Sequence, residues 1–304
     1  MTEEKVRVAG HTVPLGNPDK VLFDDAGITK RDLAEYYQAV APAMLPHLRG
    51  RPLSVERFPD GIDGGGFMQK QVPPSVPSWV HRTEVDRVGG GSLSMYVGDN
   101  AATLVYLANQ AALTLHPWLS RVRSPHRPDR LVFDLDPADD DFATVRMAAK
   151  SLREILDDLG LESFPMTTGS RGMHVTVPID GRMEFEDVRA CAGEIADELV
   201  ARHPKALTTE VRKSERKGRL FVDTLRNSYG QHAVAPYSVR PLPGAPVATP
   251  LDWDEVDDAK LTARTFTIAT MARRLASTKG DPWKSISRRS RSLRSAQREL
   301  ATAG

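Results

Sequence analysis

The stretch that most constrains this chain is residues 131–137, Leu-Val-Phe-Asp-Leu-Asp-Pro. It reads as a short buried strand that ends on two carboxylates. Side chains alternate across a strand, so Asp134 and Asp136 share one face and Leu135 takes the other. Pro137 lacks an N–H and ends the ladder. Two acids side by side repel, and burying them is costly. A fold accommodates such a pair when a cation sits between them, and hard divalent ions such as Mg²⁺ and Mn²⁺ take carboxylate oxygens. A solvated strand end is the plain alternative, because Asp and Pro both favour turns.

Size and composition narrow the classes. A chain of 304 residues with 40% hydrophobic residues can bury a full core, in one large domain or two lobes. No apolar run approaches the ~18 residues of a membrane span. The N-terminal Met-Thr-Glu-Glu-Lys does not read as a secretory signal. The single cysteine, Cys191, excludes an internal disulfide and a multi-cysteine zinc site. These features read as a cytoplasmic protein. The net charge of +1 is unevenly spread: Lys284, Arg288, Arg289, Arg291, Arg294 and Arg298 face only Asp281 and Glu299 after residue 280. That basic tail, 281–304, is either solvated or a nucleic-acid contact. No long repeat and no hinge-like linker precedes residue 280. The expected organisation is one domain over 1–280, in which residues 1–120 make the DNA contacts and residues 121–280 form the catalytic core, followed by the tail.

Residues 11–20, with Pro14, Gly16 and Pro18, read as turns. Thr29 then caps a helix, with Asp32 completing a capping box. Leu33, Tyr36, Tyr37, Val40 and Met44 recur at helical spacing, and Pro46 closes the run. Lys20 and Lys30 stand near that helix start, where free N–H groups and two lysines would make an anion pocket, or the lysines are simply solvated. After a strand over 51–57, Gly64-Gly65-Gly66 leads into Phe67 and Met68, either core residues or a base-stacking platform. Asp99 or Asn100 caps a helix through Leu104, Leu107, Ala108, Ala111 and Leu115, which places His116 at its C-terminal end. Past the acid strand, Asp139-Asp140-Asp141 precedes a helix that Gly160 ends.

Residues 164–168 and 173–177 read as strands joined by Gly169-Ser170-Arg171-Gly172. The glycines let backbone N–H groups face an anion, and Thr168, Ser170, Arg171 and His174 crowd the same edge. A helix over 186–201 follows. Arg212, Lys213, Arg216, Lys217 and Arg219 against Glu215 make a basic loop, solvated or on a phosphate backbone. Leu220-Phe221-Val222-Asp223 repeats the opening pattern, so Asp223 is the natural third carboxylate. Asn227, Gln231, His232 and Arg240 follow in a polar stretch. No Walker loop or dinucleotide fingerprint occurs. Three acids on strand ends, a donor-rich glycine loop and a histidine point to phosphoryl chemistry on a nucleoside triphosphate. Two metal ions ~3.5–4 Å apart would activate the attacking oxygen and stabilise the leaving one. Nucleases use similar acids, so these residues leave hydrolysis and transfer open.

Asp134-Leu135-Asp136-Pro137, then Thr167-Thr168-Gly169-Ser170-Arg171-Gly172-Met173-His174, then Val222-Asp223-Thr224-Leu225-Arg226-Asn227 with Ala235-Pro236-Tyr237-Ser238-Val239-Arg240, resemble the three motifs of the archaeo-eukaryotic primase superfamily. The closer resemblance is to the polymerase domain of bacterial ATP-dependent DNA ligase D. Asn17-Pro18-Asp19-Lys20-Val21-Leu22-Phe23, Gly27-Ile28-Thr29-Lys30, Pro59-Asp60-Gly61 and Leu115-His116-Pro117-Trp118 extend it over about residues 10–260. The resemblance implies an α/β fold with a recognition-motif-like catalytic sheet flanked by helices. It implies Mn²⁺- or Mg²⁺-dependent addition of nucleotides, ribonucleotides by preference, to 3′ ends at gaps or double-strand breaks. Asp134, Asp136 and Asp223 would carry metal. Thr168, Ser170, Arg171, His174, His116 and Arg240 would hold the nucleotide. Lys20 and Lys30 would hold a DNA 5′-phosphate, and Phe67 with Met68 the template base. The family usually has Ser and Lys where this chain has Thr168 and Arg171; hydroxyl and charge persist, so activity is expected to survive. It often has a second Phe at Met68. No ligase adenylation motif or nuclease segment is seen, so a stand-alone polymerase is expected, nucleoid-associated and working with the end-binding protein Ku and a separate ligase. The alternatives are a primase that starts chains de novo and a weakly catalytic end-bridging module. The three acids argue against the latter, because an acid cluster without its cation destabilises.

Overall fold

The computed structural model describes residues 3–139 and 141–303, so Asp140 of the expected acidic helix start lies outside the described residues. Two units form, each from separate stretches of chain. One holds Met1–Trp118, Val234–Ala248 and Phe266–Asp281; the other holds Leu119–Ala233, Thr249–Thr265 and Pro282–Gly304. Among the described residues no helix is long and apolar enough to cross a membrane.

In the first unit the residues expected as turns pair instead. Strands β1 (Glu3–Val8) and β2 (His11–Gly16) form an antiparallel hairpin turned by Ala9 and Gly10, both at positive φ. Val13 and Leu15 of β2 are buried while Thr12 and Pro14 are exposed, a period of two that its proline and glycine disguise. A short pair, β3 (Val21–Phe23) and β4 (Ile28–Thr29), leads into α1 (Lys30–Leu48). Thr29 and Asp32 form the expected capping box. Pro46 does not close this helix: Pro42 and Pro46 both lie inside it. Each proline forfeits one N–H bond, but Leu33, Tyr37, Val40, Met44 and Leu48 stay buried along one face, which outweighs the loss.

Strand β5 (Pro52–Arg57) organises a five-stranded sheet with β6 (Phe67–Gln69), β7 (Arg82–Asp86) and β8 (Ser92–Val97). Helix α2 (Ala101–Asn109), capped by Asn100, is shorter than the sequence spacing predicts. Ala111 takes φ 53°, and Ala112–Pro117 forms β9 against β5. His116 therefore sits on a strand opposite Ser54, not at a helix end. Leu104 through Leu115 are almost all buried, and a run buried on every side carries no reliable period.

The second unit opens with β10 (Ser120–Arg121) and β11 (Ser124–Pro128). Strand β12 (Arg130–Asp136) is the acid strand. Helix α3 (Phe142–Asp158) starts at Asp141, whose carboxylate accepts the Ala143 N–H, and Gly160 follows its end at φ 67°. Then come β13 (Phe164–Thr167), β14 (Met173–Pro178), α4 (Phe185–Arg202), β15 (Leu207–Thr208) and β16 (Leu220–Asp223). Returning chain adds β17 (Thr249–Pro250) and completes a sheet of order β15-β16-β12-β14-β13-β17. Leu131, Val132, Phe133 and Leu135 are buried, and α3 and α4 both pack on β12. Helix α5 (Ile268–Ser277) belongs to the first unit. Residues 282–304, with α6 (Leu293–Ala303), belong to the second. There Trp283, Ile286, Leu293 and Ala296 are buried, and the Trp283 indole donates to the Pro165 carbonyl at 3.1 Å.

Candidate active site

Strand register gathers the acids. β12 runs antiparallel to β16 with Asp134 opposite Asp223, and antiparallel to β14 with Asp134 opposite His174. Directly opposed side chains in such pairs lie ~4.5–5.5 Å apart at Cβ. Asp136, two residues on, shares the face of Asp134.

Cationic side chains surround these carboxylates. His174 Nε2 lies 3.4 Å from Asp134 Oδ1. Arg226 Nε lies 3.4 Å from Asp134 Oδ2 and 3.8 Å from Asp223 Oδ2. Arg171 Nη2 reaches Asp136 at 3.3 Å and Arg216 Nη1 at 3.8 Å, while the Arg216 guanidinium stacks on Phe221. Arg216 thus turns out of the basic loop toward the acids. Burial pushes the Asp134 carboxyl up, but His174 and then Arg226 outweigh it, and the net direction is down. Asp223 moves the other way: burial raises it, and the charge of Asp134 adds to the rise against the Leu225 N–H and Arg226.

The glycine loop packs directly on the acid strand. Thr168 is buried, and its hydroxyl donates to the Gly172 carbonyl at 3.1 Å and accepts the Ser170 and Gly172 N–H groups at 3.3 Å. That hydroxyl organises the loop. Gly169 takes φ 66°. Gly172 touches the acid strand so closely that a Cβ there would meet the Leu135 carbonyl oxygen at 1.9 Å. Arg264 Nε caps the Ser170 carbonyl at 2.8 Å.

Asn227 holds the other edge. Its amide accepts the Val132 N–H at 2.9 Å and donates to the Val132 carbonyl at 2.8 Å and the Thr224 carbonyl at 2.9 Å. β16 pairs β12 only at Asp134 to Asp136, so Asn227 continues the ladder where β16 stops. Asn227 was legible only as polar, and Arg226 only as a motif letter; their roles need the register.

The second unit therefore joins Asp134, Asp136, Asp223, Thr168, Ser170, Arg171 and His174. His116 and Arg240 lie in the first unit, His116 on β9 and Arg240 with its N–H on the Pro246 carbonyl at 2.8 Å. Lys20 and Lys30 meet in that unit too, joined by a backbone bond from the Lys30 N–H to the Lys20 carbonyl at 2.9 Å. Lys20 Nζ pairs with Asp60 at 2.8 Å, and Lys30 Nζ donates to the Gly16 carbonyl at 2.7 Å. Burial, then the charges of Lys20 and Arg57, lower the Lys30 ammonium. Arg57 in turn lies 5.5 Å over the Phe67 ring. Phe67 and Met68 are 50% and 40% exposed on β6, so neither is core.

Among the described residues no three His, Cys, Asp or Glu side chains are gathered to hold a metal ion as they stand. The donor set nonetheless suits a hard divalent cation: carboxylate oxygens on neighbouring strands, with Asp223 raised partly by its like-charged neighbour.

A helix-flanked sheet carrying opposed acids over a glycine hairpin defines an α/β catalytic core of primase type. The chain belongs to the family described as LigD, primase-polymerase domain, which matches residues 29–283. It is 38% identical over 258 residues to the multifunctional non-homologous end joining DNA repair protein LigD of Mycobacterium tuberculosis, covering 82% of this chain and 34% of that protein. It is 33% identical over 259 residues to the bifunctional LigD of Bacillus subtilis, covering 84% and 41%. The chain thus spans a minor share of the length of these relatives. The solved polymerase domain of Mycobacterium tuberculosis ligase D in complex with DNA superposes with TM-score 0.85 at 35% identity, covering 91% of this chain and 98% of that one.

Proposed function

We propose that this chain is a template-dependent, DNA-directed nucleotidyltransferase that adds nucleotides, by preference ribonucleotides, to 3′ ends at gaps or breaks during end-joining repair. The observation that carries the reading is Asp134 placed opposite Asp223 and beside Asp136, over a loop of phosphate-binding donors, in a member of this family. Asp134, Asp136 and Asp223 would hold Mn²⁺ or Mg²⁺, which supplies Lewis-acid stabilisation at the phosphoryl group and activates the attacking 3′ oxygen. Arg171 offers a planar fork for phosphate oxygens. The loop N–H groups around Ser170 add donors, and His174 keeps its ring nitrogen on Asp134. His116 and Arg240 carry the nucleotide roles that the resemblance implies. Lys20 and Lys30 take the 5′-phosphate, and exposed Phe67 with Met68 stacks a template base. A DNA complex of the similar solved domain supports DNA as substrate. An end-binding protein such as Ku and a ligase activity would complete repair.

Labelled gapped DNA with Mn²⁺ and either ribo- or deoxynucleotides tests this. Wild type extends the primer, and Asp136→Ala abolishes extension while DNA binding persists, because metal ligation and phosphate contact are separate terms. Normal extension by Asp136→Ala would overturn the site assignment.

A further inference from the structure

Between the two opposed carboxylates of β12 and β16 stands one arginine. Arg226 lies three residues beyond Asp223 in the single turn Leu225–Asn227, and the Asn227 amide pins that turn to Val132. A short tether therefore keeps the guanidinium at the acid pair. Its contacts, 3.4 Å to Asp134 and 3.8 Å to Asp223, are longer than the ~2.7–2.9 Å of a tight charge-assisted hydrogen bond. Its side chain is 39% exposed, against 14% for each acid. Arg226 is thus attracted to the pair without being locked there. His174, by contrast, is 5% exposed on the far side of Asp134 and is held by strand pairing.

We propose that Arg226 is a tethered counter-ion for Asp134 and Asp223, which neutralises the pair in the metal-free protein and competes with a divalent cation for the same carboxylate oxygens. The inference rests on the reading of these acids as metal ligands. The physical logic is an exchange. Two like charges in register repel, so the sheet needs a cation at that point whether or not metal is present. A tethered guanidinium supplies it at high local concentration. An incoming divalent ion must then displace the arginine, which weakens the apparent affinity for metal and stabilises the empty site. Arg226 is a positioning group here, acting through the carboxylates.

The test uses the whole chain without nucleotide or DNA. Mn²⁺ binding is followed by the loss of the free-ion paramagnetic resonance signal, and thermal unfolding is recorded with and without Mn²⁺. Arg226→Gln should bind Mn²⁺ about tenfold more tightly, the scale of one partly screened charge beside a divalent site. It should melt lower than wild type without metal and recover with it. Arg202→Gln, which removes an exposed arginine paired with Glu198 on α4, should change neither. Arg226→Lys keeps the charge and should bind Mn²⁺ nearly as wild type does. Equal or weaker binding by Arg226→Gln, or a gain no larger than that of Arg202→Gln, overturns the proposal. If Arg226→Gln folds only with Mn²⁺, the proposal stands; if Arg226→Lys also binds as tightly as Arg226→Gln, it falls. Asp136→Ala separates the two levels. Wild-type binding that Asp136→Ala leaves intact would refute the metal site itself, whereas Asp136-dependent binding indifferent to Arg226 refutes only the tether.

Discussion

Replacing Gly172 by alanine should damage the site through the backbone of the acid strand. The added Cβ would lie 1.9 Å from the Leu135 carbonyl oxygen, 3.0 Å from its carbon and 3.3 Å from Pro137 Cδ. Leu135 sits between Asp134 and Asp136, and its carbonyl belongs to the β12 backbone, so it has no rotamer to escape into. The loop must instead retreat by about 1.5 Å to reach the 3.4 Å of ordinary contact. That retreat pulls against the Thr168 N–H and hydroxyl, both 3.1 Å from the Gly172 carbonyl, and against the Gly172 N–H on the same hydroxyl. Two or three such bonds at ~1 kcal/mol each, with some overpacking, give a loss of roughly 2–4 kcal/mol. At ~2–4 °C per kcal/mol for a unit of this size, the melting temperature of the second unit should fall by roughly 5–15 °C. Nucleotide addition should fall with it, since both acids flank the displaced carbonyl. The same substitution at Gly193, inside α4 with nothing within 4 Å of its Cβ, should have the opposite sign and stabilise; the gain there is ~0.5–1 kcal/mol from helix propensity. Calorimetry of the pair checks both. Unchanged melting and unchanged extension for Gly172→Ala would refute the close approach.

Asn227→Ala leaves the Val132 N–H and carbonyl without their partners in a buried strand, and urea unfolding should show a loss of about 2–4 kcal/mol; no loss would mean that β12 is held without it. Buried tyrosines set an alkaline limit for the first unit. Burial pushes Tyr37 and Tyr96 up to about 12, and Tyr36 upward as well. The unfolded value is ~10, so their contribution is complete below pH ~10 and is lost as pH rises toward 12. Tyrosinate absorbance should therefore appear together with unfolding above pH ~10, and smooth titration of a folded protein would contradict the burial argument. Phe67→Ala should weaken gapped-DNA binding by ~1–3 kcal/mol, and a loss confined to Met68→Ala would move the stacking role there. Lys20→Ala with Lys30→Ala should erase most of the preference for a 5′-phosphate over a 5′-hydroxyl and shallow the salt dependence by up to ~0.9 log units per lost contact. Paired titrations at several salt concentrations read this; an unchanged preference would return both lysines to plain surface.

Much of this protein is written locally. Alternation along β12 places Asp134 and Asp136 on one face whatever surrounds them, because a strand has a period of two. Thr29 with Asp32 and Gly160 mark helix ends through bonds that span only a turn. The spaced motifs carry the family as well, since each is a short string with its own chemistry. Tertiary structure decided what lies across strands. His116 went to β9 because pairing with β5 overrode an apolar spacing that fits a helix equally well. Pro46 stayed inside α1 because burial of one helix face outweighs a lost donor. Trp283 is buried within a segment whose charge alone reads as a solvated tail. Arg226, Arg216 and Asn227 gained their places only once Asp134 stood opposite Asp223. Spacing along the chain names which side chains share a face, but the choice of neighbouring strand is made by non-local pairing and burial, and that choice assembles the counter-ions around the acids.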